Sequence, residues 1–384
     1  MHRISLGLSL LATLFLAGCY AAAWDKDKLD YWSKQELSDS LYQALPELEG
    51  REEITVLVFG DSGKPDTFET VAGWMNQACE RRCDFALMLG DNFYLRGPSE
   101  SAPEEFNTHF KEPLAQGGEG LRSIPYWAVL GNHGYVSLPG RPPSEPTVQL
   151  EYTNTQLPSD TPLWLMPSLQ YSIPKLPSWL TMVGFDSFLA SDPRSFNGSE
   201  SDYEEIRDRY ISELLETAKT GKGWRVVFGH HPRLTIGDHA ESNYLRELPD
   251  MLEAALPLIY FSGHDHDQQL IEYGGLIQVV QGAASKTRAG KWGGAKARVH
   301  FKETLEPFYS QAGTPVFAEY CEKLGFAIAR FSEFEFDLTF YWGSEDDDAA
   351  QAGPTWSWAR SADGGVQRIG DAPVDDFRDL CPNS

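Results

Sequence analysis

Phe85-Ala86-Leu87-Met88-Leu89-Gly90-Asp91-Asn92-Phe93-Tyr94 is an apolar run that stops at a glycine and then delivers a carboxylate and a phenol. Five apolar residues in a row, closed by glycine, read as a buried strand. The Asp and the Tyr therefore emerge where strand gives way to loop, which is where open α/β sheets carry their chemistry. A carboxylate has two oxygens and can bridge two cations. A tyrosine three residues on, across a turn, can reach one of them. Phenol ionises near pH ~10, so a ligating tyrosinate needs a strongly acidic metal, closer to Fe(III) than to Mg(II). Taken alone, the stretch also reads as a glycine turn with a polar cap and a packed aromatic.

The same ending recurs along the chain. Residues 54–59 are followed by Gly60-Asp61-Ser62-Gly63, and residues 126–130 by Gly131-Asn132-His133. Later come Gly229-His230-His231 and Gly263-His264-Asp265-His266. With Gly90–Tyr94, five apolar runs each end in glycine plus a side chain able to hold a metal. Glycine lets the backbone turn sharply and approach closely. Oxygen donors from Asp, Asn and Tyr suit hard cations, and imidazole suits Fe, Zn or Mn. His264 and His266 flank one residue on a tight turn, so their rings can serve neighbouring cations. His231, adjacent to His230, cannot easily share its direction and reads as a residue that supports the ligands or packs behind them. One such ending says little; five together supply two coordination spheres.

Strands alternating with helices predict an α/β fold. Further strands are predicted over 180–185, 225–228, 258–261 and 277–280, and over 326–330 and 334–341 in a strand-rich end that argues for a second sheet or antiparallel edges. Helical spacing covers 67–79 and 203–218, where Ile206, Tyr210, Leu214 and Ala218 share a face; 243–255 reads as another helix. Residues 139–168, rich in Pro, Ser and Thr, read as a long loop.

Residues 1–18 read as a targeting leader, with Arg3 ahead of a short apolar stretch. Leu16-Ala17-Gly18-Cys19 resembles a bacterial lipobox, in which Cys19 becomes the lipid-anchored first residue; an ordinary secretory signal is the alternative. Either exports the protein, and Tyr20 after the cysteine favours the outer membrane, with the periplasm or cell surface as its setting. Residues 19–53 read as a tether with one helix near 34–44, 54–343 as the main domain, and 344–384 as a C-terminal extension with little regular structure. Besides Cys19 there are Cys79, Cys83, Cys321 and Cys381. Four cysteines in an exported chain suit two disulfides with three pairings, of which the local one joins Cys79 to Cys83 and Cys321 to Cys381. The net charge of −24 argues against nucleic acid as a partner. Any phosphate site here must make its own positive charge, and metal ions can do that.

The order DxG, GDxxY, GNH, GH, GHxH resembles the purple acid phosphatases of the calcineurin-like metallophosphoesterases, over roughly residues 54–343. Gly90–Tyr94 and Gly263–His266 are most similar to the small tartrate-resistant kind. The resemblance implies a four-layer αββα sandwich of two mixed β-sheets flanked by helices. It implies Fe(III) held by Asp61, Asp91, Tyr94 and His266, and a divalent Fe, Zn or Mn held by Asn132, His230 and His264, with Asp91 bridging. It implies His133 and His239 as catalytic histidines that contact phosphate or leaving group, and small phosphorylated substrates. The reaction implied is hydrolysis of phosphate monoesters by a metal-bound hydroxide, with histidine, cationic below about pH 6.5, assisting the leaving group. The alternative on the same scaffold is a phosphodiesterase or nucleotidase. Gly134 departs from the pattern, since an acid that would orient His133 usually stands there. Substrate choice is expected in the loops around 139–162 and 282–308.

Overall fold

The computed structural model describes residues 19–20, 22–80, 82–99, 104–138, 144–237, 239, 258–273, 275–288, 316–369, 377–379 and 381. It opens with β1 (Cys19–Tyr20), α1 (Lys26–Trp32) and α2 (Asp39–Ala44). Next come β2 (Glu53–Phe59), α3 (Pro65–Cys79), β3 (Phe85–Met88), α4 (Glu112–Gly117), α5 (Glu119–Arg122) and β4 (Pro125–Ala128). β5 (Val136–Ser137), α6 (Pro146–Thr155), β6 (Leu163–Leu165), β7 (Gln170–Ser172) and β8 (Leu180–Phe185) precede α7 (Ser187–Ser191) and α8 (Glu200–Thr220). The remaining strands are β9 (Trp224–Phe228), β10 (Leu258–Ser262), β11 (Gln268–Tyr273), β12 (Leu276–Gln281), β13 (Val316–Cys321), β14 (Leu324–Ser332), β15 (Glu335–Gly343), β16 (Gln351–Arg360), β17 (Val366–Ile369) and β18 (Phe377–Asp379).

Two eight-stranded mixed sheets form, ordered β17-β16-β15-β14-β2-β3-β4-β6 and β18-β13-β11-β12-β10-β9-β8-β7. Parallel strands β2, β3, β4 and β6 form one half of the first sheet, out to its β6 edge, and β8, β9, β10 and β12 occupy the centre of the other. Such strands are covered on both faces, which is why β2, β3 and β10 are apolar runs rather than alternations. The sheets meet face to face. Trp224 of β9 packs 6.4 Å from Phe331 and 6.0 Å from Phe336, and its Nε1 donates to the Ser332 carbonyl at 2.8 Å. Helix α3 lies on β14, and α8 lies on β8 and β9. Helix α3 starts on a proline, and Phe68, Val71, Ala72 and Met75 form its buried stripe. Helix α8 begins with a capping box between Ser199 and Asp202 and buries the predicted face of Ile206, Tyr210, Leu214 and Ala218. The expected sandwich of two mixed sheets flanked by helices is therefore present.

Several local expectations differ. Residues 139–168 were expected to be a loop, yet they contain α6 and β6. Polar side chains there satisfy the backbone rather than mark exposure. The buried Gln156 donates to the Trp164 carbonyl and accepts from its N–H, and the Met166 N–H donates to Thr153 Oγ1. Residues 19–53, read as a tether with a helix at 34–44, carry β1, α1 and a shorter α2. Asp25 and Ser38 cap the two helices, and Trp24, Leu29, Leu41, Leu45 and Leu48 are buried. Residues 344–384, read as irregular, add β16 and β17 to one sheet and β18 to the other; Trp358 is fully buried and stacks 5.0 Å from Phe336. Strands β7, β11 and β13 also escaped the sequence reading. β11 opens on the polar pair Gln268-Gln269, whose side chains find partners inside the fold. The disulfides are the local pair, Cys79–Cys83 and Cys321–Cys381. The leader at 1–18 and the helix at 243–255 lie outside the described residues, as does most of 282–308.

Candidate active site

The parallel strands of both sheets end at one place. Past β2 stands Asp61, past β3 Asp91 and Tyr94, past β4 Asn132 and His133, past β9 His230, and past β10 His264 and His266. Asp61, Asp91 and His264 take left-handed backbones, with φ of 58°, 47° and 70°. Non-glycine residues seldom adopt that conformation, and it concentrates at functional sites. Here it turns each side chain back across the strand ends. The loops are bonded to one another: Asp61 N–H donates to the Gly90 carbonyl at 3.0 Å, and Gly63 N–H to the Asp91 carbonyl at 3.1 Å. Gly90 leaves room for a histidine, since a Cβ on it would lie 2.6 Å from His230 Nδ1.

The seven predicted ligands fall into two donor triangles. In the first, Tyr94 OH is 2.7 Å from Asp61 Oδ1 and 3.0 Å from His266 Nε2, and that nitrogen is 3.2 Å from Asp61 Oδ1. In the second, Asn132 Oδ1 is 3.0 Å from both His230 Nε2 and His264 Nδ1, which are 3.2 Å apart. Donors about 2.1 Å from one six-coordinate cation stand roughly 3 Å from each other, so each triangle fits one ion. Asp91 lies between them. Its Oδ1 is 3.5 Å from His230 Nε2, and its carboxylate also neighbours the Tyr94 phenol. The donor chemistry is asymmetric: two carboxylates, a phenol and one imidazole on one side, an amide oxygen and two imidazoles on the other. His230 Nδ1 donates to the Leu89 carbonyl at 2.8 Å, which makes Nε2, facing Asn132, the nitrogen that would bind a cation in place of its proton.

Burial dominates the electrostatics, and charge neighbours then decide the sign. Burial would raise Asp91, but the His230 and His133 imidazoles hold it well below the usual carboxylate range. Burial would lower His230, but the Asp91 carboxylate raises it to about 9. Burial, joined by the Asp61 and Asp91 charges, pushes the Tyr94 phenol well above its ordinary value. Without a cation Tyr94 is thus a neutral donor to Asp61. Burial lowers His264 and His266, so both present lone pairs.

His133 and His239 border the same cleft, of about 190 Å³, with Asp91, Asn132 and His264. His133 Nδ1 meets the Leu95 carbonyl at 2.5 Å, so a backbone oxygen supplies the orientation that an acid at position 134 would otherwise give. Its Nε2 lies 3.8 Å from Asp91 Oδ2. His239 Nδ1 is 2.6 Å from Asp265 Oδ1, and its Nε2 is 3.0 Å from Arg288 Nη1. Since guanidinium only donates, His239 Nε2 accepts there and the ring proton sits on Nδ1 toward Asp265. Burial would raise Asp265, but the His239 hydrogen bond holds it low. The sequence reading missed Asp265, although it stands inside Gly263–His266, and it missed Arg288 and Tyr20. His231 was read as a supporting or packing residue; its ring stacks on Phe188 and its Nδ1 meets Ser187 Oγ at 2.9 Å. It is nevertheless one of a buried group, with His230 and His264, whose nitrogens are close enough to share an ion. A larger cavity of about 390 Å³, beside Trp127 and Tyr171, has no histidine in its lining.

Behind His230 and His231 runs a buried chain. Trp24 Nε1 donates to Tyr135 OH at 2.6 Å, and Tyr135 OH donates to Asp186. Burial raises Asp186 to about 6, with the Tyr135 bond opposing. A carboxyl whose folded pKa is raised contributes stability below its unfolded value, and that contribution is lost as pH rises through about 6. The loss amounts to about 3 kcal/mol. Asp186→Asn, which still caps α7, is therefore expected to equal or exceed the wild type in stability at pH 7 and to lose that advantage by pH 4. Urea denaturation of both proteins at the two pH values measures it.

The chain matches the calcineurin-like phosphoesterase family model over residues 54–268, so the N-terminal segment lies outside the match. It is 27% identical over 306 residues to purple acid phosphatase 17 of Arabidopsis thaliana, covering 75% of this chain and 80% of that protein. It is 26% identical over 238 residues to the tartrate-resistant acid phosphatase type 5 of Sus scrofa, covering 57% of this chain and 65% of that protein, just under two thirds of its length. Among solved structures, "GAP50 the anchor in the inner membrane complex of Plasmodium" superposes with a TM-score of 0.58 at 18% identity, covering 85% of this chain and 91% of that one.

Proposed function

The chain belongs to the calcineurin-like phosphoesterase family, and on that premise we propose that it is an exported dinuclear-metal phosphatase acting on phosphate monoesters. Asp61, Asp91, Tyr94 and His266 hold Fe(III), and Asn132, His230 and His264 hold a divalent Fe, Zn or Mn with Asp91 shared. The observation that carries this reading is the Tyr94 phenol, 2.7 Å from Asp61 Oδ1 and 3.0 Å from His266 Nε2. Tyr94 is costly to ionise where it sits, so it belongs with a strongly acidic cation. Two cations in these triangles supply Lewis-acid charge for the phosphoryl oxygens and acidify a water.

The chain's own groups do the rest. His133, pinned through Nδ1 to Leu95, offers Nε2 to the cleft and gives its proton to the departing alkoxide. Arg288 borders the cleft and takes the phosphoryl oxygens, and His239, whose Nε2 accepts from Arg288 Nη1 at 3.0 Å, holds the guanidinium in place. Lys286, whose Nζ stands 5.4 Å from the Tyr94 ring centroid, adds positive charge in an otherwise acidic protein. Two disulfides support an oxidising compartment, and the lipobox-like Cys19 supports a lipid anchor. Among the described residues, no helix is long and apolar enough to cross a membrane.

The test is a visible spectrum with metal analysis. The purified mature chain is expected to contain iron and to show a tyrosinate-to-iron band, and Tyr94→Phe to lose the band. A colourless, iron-free wild type would sink this assignment. Parallel rates on a monoester and a diester separate it from a phosphodiesterase or nucleotidase.

A further inference from the structure

We propose that the N-terminal segment carrying Tyr20 and Trp24 is a working wall of the catalytic cleft, and that Tyr20 is a positioning residue for Asn132. The inference rests on the two-cation reading above. Asn132 Nδ2 donates to Tyr20 OH at 3.3 Å. That bond fixes which way the amide faces, so that Oδ1 points at His230 Nε2 and His264 Nδ1. An asparagine held only by its χ angles can present either end to a cation, and only the oxygen binds one. Partners that orient a ligand typically contribute tenfold or more to metal affinity.

The tyrosine is itself held from several sides. Its ring lies 5.0 Å from Phe188, and the Arg194 guanidinium covers it at 4.4 Å. Its backbone pairs with Val136 in the two-stranded ribbon of β1 and β5, directly after the Asn132 turn. Further along, Ala23 and Trp24 N–H both donate to the Ser195 carbonyl at 3.1 Å, and Asn197 N–H returns a bond to Trp24 at 2.6 Å. Tyr20 borders the cleft with Asp91, Asn132 and His264. It stands well ahead of the family match, in a segment that the match does not cover.

The experiment compares the mature wild type with Tyr20→Phe, which removes the hydroxyl and keeps the ring contacts. Zn(II) is titrated calorimetrically into protein that keeps its iron but has been stripped of the divalent ion, and hydrolysis of 4-nitrophenyl phosphate is followed against Zn(II) concentration. The expected result is one Zn(II) bound beside the iron in the wild type, and the same ion bound about tenfold more weakly by the variant. The variant's kcat recovers at saturating Zn(II), and the melting temperature of the zinc-free protein is unchanged. A variant that binds Zn(II) as the wild type does overturns the role of Tyr20, as does a lowered melting temperature with unaltered affinity. A wild type that takes up no second cation overturns the dinuclear reading and this inference with it.

Discussion

Asp91→Asn is expected to lower kcat/KM on a phosphate monoester by about 10³-fold or more while the protein stays folded. Losing a single donor from a preorganised charged site typically costs 10²–10³-fold, and Asp91 is the carboxylate that faces both donor triangles. Asparagine is well suited to test charge alone. It tolerates the left-handed backbone that Asp91 adopts at φ 47°. It also keeps an oxygen for the His133 N–H, which bonds Asp91 Oδ1 at 2.9 Å. What disappears is the negative charge and the second oxygen able to bridge. Metal analysis is expected to show fewer than two ions per chain, with far-ultraviolet circular dichroism unchanged. Two ions and near-wild-type turnover would remove Asp91 from the bridging role.

Gly131→Ala is expected to fail differently, losing activity and stability together. The Gly131 backbone, at φ −113°, suits any residue. The obstacle is space: a Cβ there would lie 2.1 Å from Asp91 Oδ1 and 2.2 Å from the Asp91 nitrogen. Neither atom can retreat, because the Asp91 carbonyl accepts from Gly63 and its Oδ1 accepts from His133. The turns after β3 and β4 must separate, which moves Asp91 and Asn132 apart. Overpacking of this kind costs about 3 kcal/mol. Thermal unfolding and turnover measured on one preparation check it. A variant as stable and active as the wild type would show that the two turns are not in contact.

The centre was legible because its signal is local and repeated. Each candidate ligand follows a strand end by two to six residues, and glycine marks each turn. The spacing in Gly90–Tyr94 and Gly263–His266 carried both the residue types and their order. The outer strands and the N-terminal segment were not legible, because their residues look polar or sparse until they are paired. Gln268 and Gln269 carry no apolar strand signal, and their amides find the Lys323 carbonyl and Thr235 Oγ1 only in the folded chain. Tyr20 stands among small residues and Trp24 at the head of a charged run, and only the folded chain shows them against Tyr135, Phe188 and Asn132.

By itself, the sequence determined the α/β class and the strands that end at the site, which follow from apolar periodicity, a property of short stretches. The seven candidate donors came from the resemblance of the strand-end motifs to the purple acid phosphatases. Only the tertiary structure decided what stands around the donors. Leu95 rather than an acid at position 134 holds His133, Asp265 holds His239, Tyr20 faces Asn132, and residues 344–384 complete both sheets. Each of those contacts joins positions far apart along the chain. Their geometry depends on how the two sheets close on each other, and no local pattern encodes that.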